Sequence, residues 1–309
     1  MIPISIGITT RDRGASLGRC LASIARVLGR SHDVMVFDDG SEVPAIDQVD
    51  VDARDLQVRF TRDERRPGNI AGRNELMQAA RHDLVLLLDD DTVVLEAEAV
   101  STAIDVLSGD PSVAAIAFAQ AESDGRPWPE RMQPGRGAAP CYVPAFIGFA
   151  HLLRRSVFLE LGGYRQSFVF YGEEKDYCLR LLAAGHRVVY LPEARVAHVP
   201  DPSGRVQSRY VRYVIRNDFL QSLYNEPWLM VAVGIPVRLW RHRRMAAGIY
   251  GGDAGGLIWI AREVTRALPA AWRDRRAVSW ATIRHWRRMS RVVEPYLPGR
   301  GIAGSARPA

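Results

Sequence analysis

The sequence predicts an α/β protein: a mixed, mainly parallel sheet flanked by helices, with a C-terminal helical extension. Three observations predict it. Short apolar runs alternate with stretches of helical periodicity over residues 2–91. Each run ends in a polar cluster (TTRDR, DDGS, DDDT), and ligands of such sheets bind beyond the carboxyl ends of the strands. Past residue 205 the chain turns helical, basic and rich in tryptophan.

The elements follow in order. IPISIGI (2–8) reads as the first strand. Residues 15–28 set Leu17, Leu21, Ile24 and Leu28 at helical spacing. VMVF (34–37) is strand-like, 56–61 alternate as a strand, and 70–81 read as a helix. LVLLL (84–88) is a continuous apolar run, as a strand buried on both faces requires. From 111 to 204 the rhythm breaks. Proline and glycine crowd 125–140, which predicts a surface loop. A strand-like stretch (142–153), a short helix near 155–161 and two short strands (187–191 and 195–199) come next. There is no internal repeat, and the only low-complexity tract is the small-residue tail at 299–309.

Composition narrows the class. A chain of 309 residues, 47% apolar and 25% charged, fits one large globular domain with an appendage. Cys20, Cys141 and Cys178 are widely spaced and odd in number. They suggest neither a disulfide framework nor a CxxC metal site, so a reducing compartment is expected. MIPISIGITT lacks a basic start followed by a long apolar run, so no secretion signal is expected. Charge is uneven. Residues 205–309 hold 19 arginines against 6 acidic residues, while the first 204 hold 22 basic and 29 acidic. Two regions with two jobs, 1–204 and 205–309, are expected.

Asp89, Asp90 and Asp91 end the buried run LVLLL. Three carboxylates there repel one another and lose solvation unless a cation sits among them. Mg2+ or Mn2+ held by one or two carboxylates completes its shell with substrate phosphates. The plainer reading is a solvated turn that caps the next helix. Asp38 and Asp39 end the second apolar run, where a carboxylate accepts a pyrimidine ring N–H; taken alone, an Asp-Gly turn is the better reading. PGNIAGRN (67–74) opens a helix whose glycines admit a ligand and whose Arg73 neutralises a phosphate, or it is an ordinary helix start. Glu173, Glu174 and Asp176 crowd one helical start. Capping accounts for carboxylates there; the functional alternative is a general base that takes the proton of an attacking hydroxyl. His198 follows a strand; a lone histidine is more often structural, and it gains meaning as a late metal ligand only beside the aspartates.

In order and spacing, SIGITTRDR, VFDDGS, GNIAGRN, LVLLLDDDT, LRRSVFLELGGY, FYGEEKDYCLRL and VAH resemble the inverting, family-2-type glycosyltransferases of GT-A fold, closest to bacterial rhamnosyl- and cell-envelope-type members. The resemblance covers about residues 3–200. It implies a nucleotide-diphosphate sugar as donor and a glycan, lipid-linked or small-molecule acceptor. It implies that Thr9, Arg11 and Asp39, with Asp38 beside them, hold base and ribose, and that Arg73 lies near the diphosphate. Asp89 and Asp91 would form the DxD-type metal site, flanked by Asp90, with Asp91 the direct ligand and His198 joining the metal or the diphosphate. Glu174 stands where the family often has the aspartate of an ED pair and is the expected base. That departure leaves Glu173 as the alternative, with Asp176 ordering the helix or the acceptor pocket.

The basic back third offers two readings. PWLMVAVGIPVRLW (227–240) and MAAGIYGGDAGGLIWIA (245–261) are each too short or too broken to span a bilayer. Arginine clusters flank them and six tryptophans are scattered through the region, which suits an anionic membrane surface; the alternative is a packed helical cap. No nucleic-acid-binding motif is present, so no nucleic acid is expected. The expected location is the cytoplasm, with a peripheral place on the inner face of the membrane under the first reading. Two rivals remain to the transferase. A sugar nucleotidyltransferase calls for a glycine-rich basic loop after the first strand, and here Gly14 stands alone. A non-catalytic scaffold calls for loss of Asp91 or the glutamates, and all are present.

Overall fold

The computed structural model describes residues 2–49, 56–200, 207–248, 252–253 and 255–298. The loop after His198, the glycine-rich stretch near 250 and the tail at 299–309 lie partly or wholly outside them.

The first half follows the sequence pattern closely. β1 (Ser5–Thr10), α1 (Gly14–Leu28), β2 (Asp33–Asp38), the short α2 (Ala45–Gln48), β3 (Val58–Arg62), α3 (Asn69–Ala79) and β4 (Leu84–Asp89) alternate as expected. α1 buries Leu17, Leu21, Ile24 and Leu28, the four residues set at helical spacing. In β4 the run Leu84–Leu88 is buried throughout, with the strand order β3-β2-β1-β4 parallel at every step. β3 lies at the edge and is half exposed, which fits its alternating sequence.

The second half departs from the expectation. β5 (Thr92–Val94), α4 (Ala97–Gly109) and the wholly buried β6 (Val113–Ala121) precede the predicted loop. The stretch 142–153 is two strands, β7 (Cys141–Val143) and β8 (Ala150–Arg154), and α5 (Arg155–Glu160) follows. α6 (Glu173–Ala183) leads into β9 (Arg187–His198). β9 is one strand where two were expected. Its register against β6 slips between Leu191 and Arg195, because Pro192 has no N–H for the ladder and the strand bulges there. The sheet is mixed, as expected. β8 inserts antiparallel between β4 and β6, and of the nine described pairings four are parallel and five antiparallel. Apolar periodicity fixes which residues are buried but not strand direction, so the sequence could not show this. The consequence is functional: β8 starts at the carboxyl edge, so the loop before it crosses that edge.

The remainder is helical: α7 (Gln207–Asn225), α8 (Trp228–Ala246), α9 (Gly256–Arg273) and α10 (Trp280–Met289). It ends in β10 (Glu294–Pro295), which pairs with β7. Arg187 locks this return by bonding Glu294 and lying 3.6 Å from the centre of the Tyr142 ring. No described helix is long and apolar enough to cross a membrane.

Candidate active site

The parallel register brings the polar strand ends to one edge, pairing Thr9 with Asp89 and Thr10 with Asp38. The side chains there divide the work. Asp38 is spent on its own turn, accepting from the N–H groups of Ser41 and Ala45. Asp39 accepts from Gly68 N–H, and its Oδ2 is 3.9 Å from the exposed Arg11 guanidinium. Thr9 packs its methyl group towards Gly72. A Cβ at Gly72 would lie 2.5 Å from the Phe37 ring, so this glycine lets α3 seat on the sheet and does not open a path to a ligand.

The three aspartates divide: Asp90 and Asp91 share Arg13, and Asp89 goes to Arg73. Asp90 is buried, accepts from Thr10 Oγ1 at 2.7 Å and Arg13 at 3.1 Å, and is pushed up to about 6 by burial, against those two bonds. Asp91 accepts from the same Arg13 nitrogen, Nη1, at 3.0 Å through its Oδ2, and its Oδ1 lies 3.5 Å from His198 Nε2. Burial, then the nearby Asp89 charge, raises the Asp91 carboxyl. Asp89 turns away to Arg73 at 2.6 Å. The expected metal trio is therefore split: Asp91 meets His198, and Asp89 does not join them. Among the described residues no group of three His, Cys, Asp or Glu side chains stands ready to hold a metal ion.

His198 is held from behind. Gln120 donates through its side-chain amide to the Met132 carbonyl, which turns its Oε1 towards His198 Nδ1 at 2.8 Å. Nδ1 therefore carries a proton, and in the neutral ring Nε2, the atom facing Asp91, is the acceptor. Trp128 and Phe149 sandwich the ring at 5.4 and 5.0 Å. In that neutral form two acceptor atoms, Asp91 Oδ1 and His198 Nε2, face each other at 3.5 Å. Asp91 Oδ1 is buried and has no hydrogen-bond donor, and such an oxygen is costly unless a cation or a proton reaches it. This donor pair, one carboxylate and one imidazole, fits a divalent ion.

Arg73 is not an open phosphate ligand. It is 2% exposed and donates to Asp89, to Gly148 C=O at 2.7 Å and to Glu173 at 3.2 Å, with Glu174 at 3.8 Å. A buried guanidinium needs such partners to offset its lost hydration. Gly148 makes room for the cluster: a Cβ there would lie 2.2 Å from Glu174 Oε1. Burial, then the charge of Glu174, raises the Glu173 carboxyl, and burial raises Glu174. Glu174 is the more accessible of the two, its side chain 19% exposed against 4% for Glu173. Asp176 is wholly buried on another side of α6, bound by Arg165, Arg180 and Asn225. It ties the helix down and does not join the cluster.

Several residues escaped the sequence reading. Arg13 lies within the quoted TTRDR, but nothing local marks it over Arg11. Gly148, Gln120 and Trp128 carry no motif at all. The GGY element acquires a mechanism: Asn74, next to Arg73, bonds both backbone groups of Tyr164, whose hydroxyl meets buried His151 at 2.8 Å. The segment before α6 is strained, with Val169 and Tyr171 at φ 62 and 65. Asn217 of α7 holds it by donating to the carbonyls of Phe168, Phe170 and Tyr171.

A sheet edge with these carboxylates, crossed by a loop from an antiparallel strand, defines the class. The chain belongs to glycosyl transferase family 2, whose profile matches residues 5–171. It is 27% identical over 210 residues to the pre-mycofactocin glycosyltransferase of Mycobacterium tuberculosis, a match covering 63% of this chain and 42% of that one. The chain spans less than half the length of the curated relatives it matches. Among solved structures it resembles Staphylococcus aureus TarS in complex with UDP-GlcNAc, with a TM-score of 0.63 and 15% identity, covering 89% of this chain and 84% of that one. The mannosyltransferase PcManGT of Pyrobaculum calidifontis, in complex with GDP-Man and Mn2+, gives 0.58 and 15%, covering 93% and 85%. The fold is GT-A.

Proposed function

We propose that the chain is an inverting glycosyltransferase that moves a hexosyl or deoxyhexosyl unit from a nucleotide-diphosphate sugar to an acceptor hydroxyl of a glycan, lipid-linked or small-molecule acceptor. One observation carries the reading: a carboxylate with access to solvent, Glu174, stands across Arg73 from the aspartate edge that ends in Asp91 and His198. That separation suits a base on one side of a sugar and a leaving diphosphate on the other. The nucleotide-sugar ligands of TarS and PcManGT, and the Mn2+ of the latter, support the donor class and a divalent ion.

Asp91 and His198 would hold Mg2+ or Mn2+, with Asp89 able to join only by leaving Arg73. When bound there, the ion supplies positive charge against the leaving diphosphate. The chain's own residues do the rest. Asp39 and Arg11 receive the nucleoside. Glu174, its carboxyl raised by burial, takes the acceptor proton as the hydroxyl attacks the anomeric carbon. The bond to the diphosphate breaks on the opposite face, which inverts the centre and needs no protein nucleophile. Arg73 holds Asp89, Glu173 and Gly148 in register. Residues 1–204 form the transferase region in this reading, and 205–309 brace it.

A thermal-shift screen of nucleoside diphosphates and sugar nucleotides with Mn2+ tests the reading, since a ligand specific to the folded state raises the melting temperature. One nucleotide class should stabilise the chain only with the metal present. Asp91→Ala should abolish that shift while remaining folded. A shift that survives excess chelator, or one unchanged in Asp91→Ala, removes the metal from the reading.

A further inference from the structure

α8 is built inside out. Its inward side carries Met230, Val231, Arg238 and His242, the last three separated by two turns and then one. Arg238 bonds Asp218 and Glu226, and His242 lies 3.1 Å from Asp253. The outward face carries Leu229, Val233, Pro236, Val237 and Trp240, with Leu229 66%, Val233 63% and Trp240 59% exposed. At about 100° per residue these side chains share one side of the helix, and Arg243 and Arg244 end the same side one turn later. The strip from Leu229 to Trp240 runs roughly 18 Å. α9 extends it: Trp272 is 73% exposed and its ring centre lies 5.5 Å from that of Trp228. A continuous exposed apolar strip marks an interaction surface.

Charge identifies the occupant. Three acidic residues of this region face inward, with the side chains of Asp218, Glu226 and Asp253 exposed by 12%, 13% and 0%, while the more exposed Glu263, Asp274 and Glu294 each pair with an arginine. Arg243, Arg244, Arg262, Arg273 and Arg276 face outward. Arg243 and Arg244 at the end of α8 give the strip a basic margin. Apolar side chains rimmed by arginine, with tryptophan at the ends of the strip, match the acyl, phosphate and interfacial layers of an anionic bilayer in that order. No described helix is long and apolar enough to cross a membrane, so α8 would lie in its plane.

We propose that the outward face of α8, joined by Trp272 of α9, docks on an anionic phospholipid surface. This holds whatever reaction the sheet edge performs, and its test needs no turnover. The full chain is sedimented with vesicles of phosphatidylcholine alone or with about one third phosphatidylglycerol, at low and high salt. Binding should require the anionic lipid and weaken with salt. Arg243→Ala with Arg244→Ala should lower affinity about fivefold per arginine. Val233→Gln, Val237→Gln and Trp240→Gln combined should lower it further with the melting temperature kept, since all three are exposed. Absence of binding at low salt overturns the proposal. So does equal binding to neutral vesicles, unaffected by the arginine pair. A dimer in sedimentation that the triple substitution dissolves, with no vesicle binding, would overturn it in favour of a second copy of the chain.

Discussion

Around Arg73, one cation faces three carboxylates, those of Asp89, Glu173 and Glu174. Around Asp218, one carboxylate faces three cations, Lys175, Arg238 and Arg241, with Glu226 sharing Arg238. The two clusters hang from adjacent residues of α6, Glu174 and Lys175, and their balance is opposite. At the Arg73 end burial wins and the glutamates are raised. At the Asp218 end burial also pushes the carboxyl up, but Lys175, Arg241 and Arg238 outweigh it and hold Asp218 low. Surplus negative charge kept out of water is what a proton acceptor requires; a carboxylate with surplus cations is what a brace requires. One helix start therefore separates chemistry from scaffold by where its neighbours put their charge.

The largest effect should come from removing the single cation of the acidic cluster. Arg73→Met leaves three carboxylates facing one another in a largely buried site and should cost about 3–5 kcal/mol. Denaturant unfolding measures it, and turnover should vanish with it. A loss below about 1 kcal/mol would mean that Arg73 is not the keystone.

Next is the division between the two glutamates. Glu174→Gln should lower turnover roughly 10²–10⁴-fold with donor affinity nearly unchanged. Glu173→Gln should change stability more than turnover. The reverse pattern would move the base one residue back. Retained turnover in both would return attention to the acceptor side of the site, since Asp176 is already fully bound by Arg165, Arg180 and Asn225.

The brace should yield less. Asp218→Asn keeps the shape but removes the charge, and unfolding should become easier by about 1–3 kcal/mol, with turnover per folded molecule unaltered. Turnover that falls alongside stability would show that the two clusters communicate through α6.

The smallest effect is in pH. Burial and the charge of Glu174 raise the Glu173 carboxyl in the fold, so the folded chain holds its proton more tightly than the unfolded chain does. Wild-type stability should then fall as pH rises from about 5 to about 7. Glu173→Gln cannot ionise, so its melting temperature relative to wild type should rise over the same interval. A flat difference would mean that Glu173 is ionised in the fold.

The sequence by itself determined the strand ends. LVLLLDDD and VFDDGS are local: an apolar run long enough for one strand, followed by carboxylates that must leave the core. It also determined α1, whose apolar residues recur at one helical period. Tertiary structure decided what each charge does. Arg73 and Glu173 lie 100 residues apart, and His198 and Gln120 lie 78 apart, so no local pattern links them. Direction was equally hidden, since an antiparallel β8 and a parallel one bury the same residues. α8 is the sharpest case. Its sequence is an apolar stretch interrupted by arginine, and which side faces inward depends on the acids that α7 and Asp253 present to it. Composition sets how much apolar surface a segment carries, and only its neighbours decide which face stays in water.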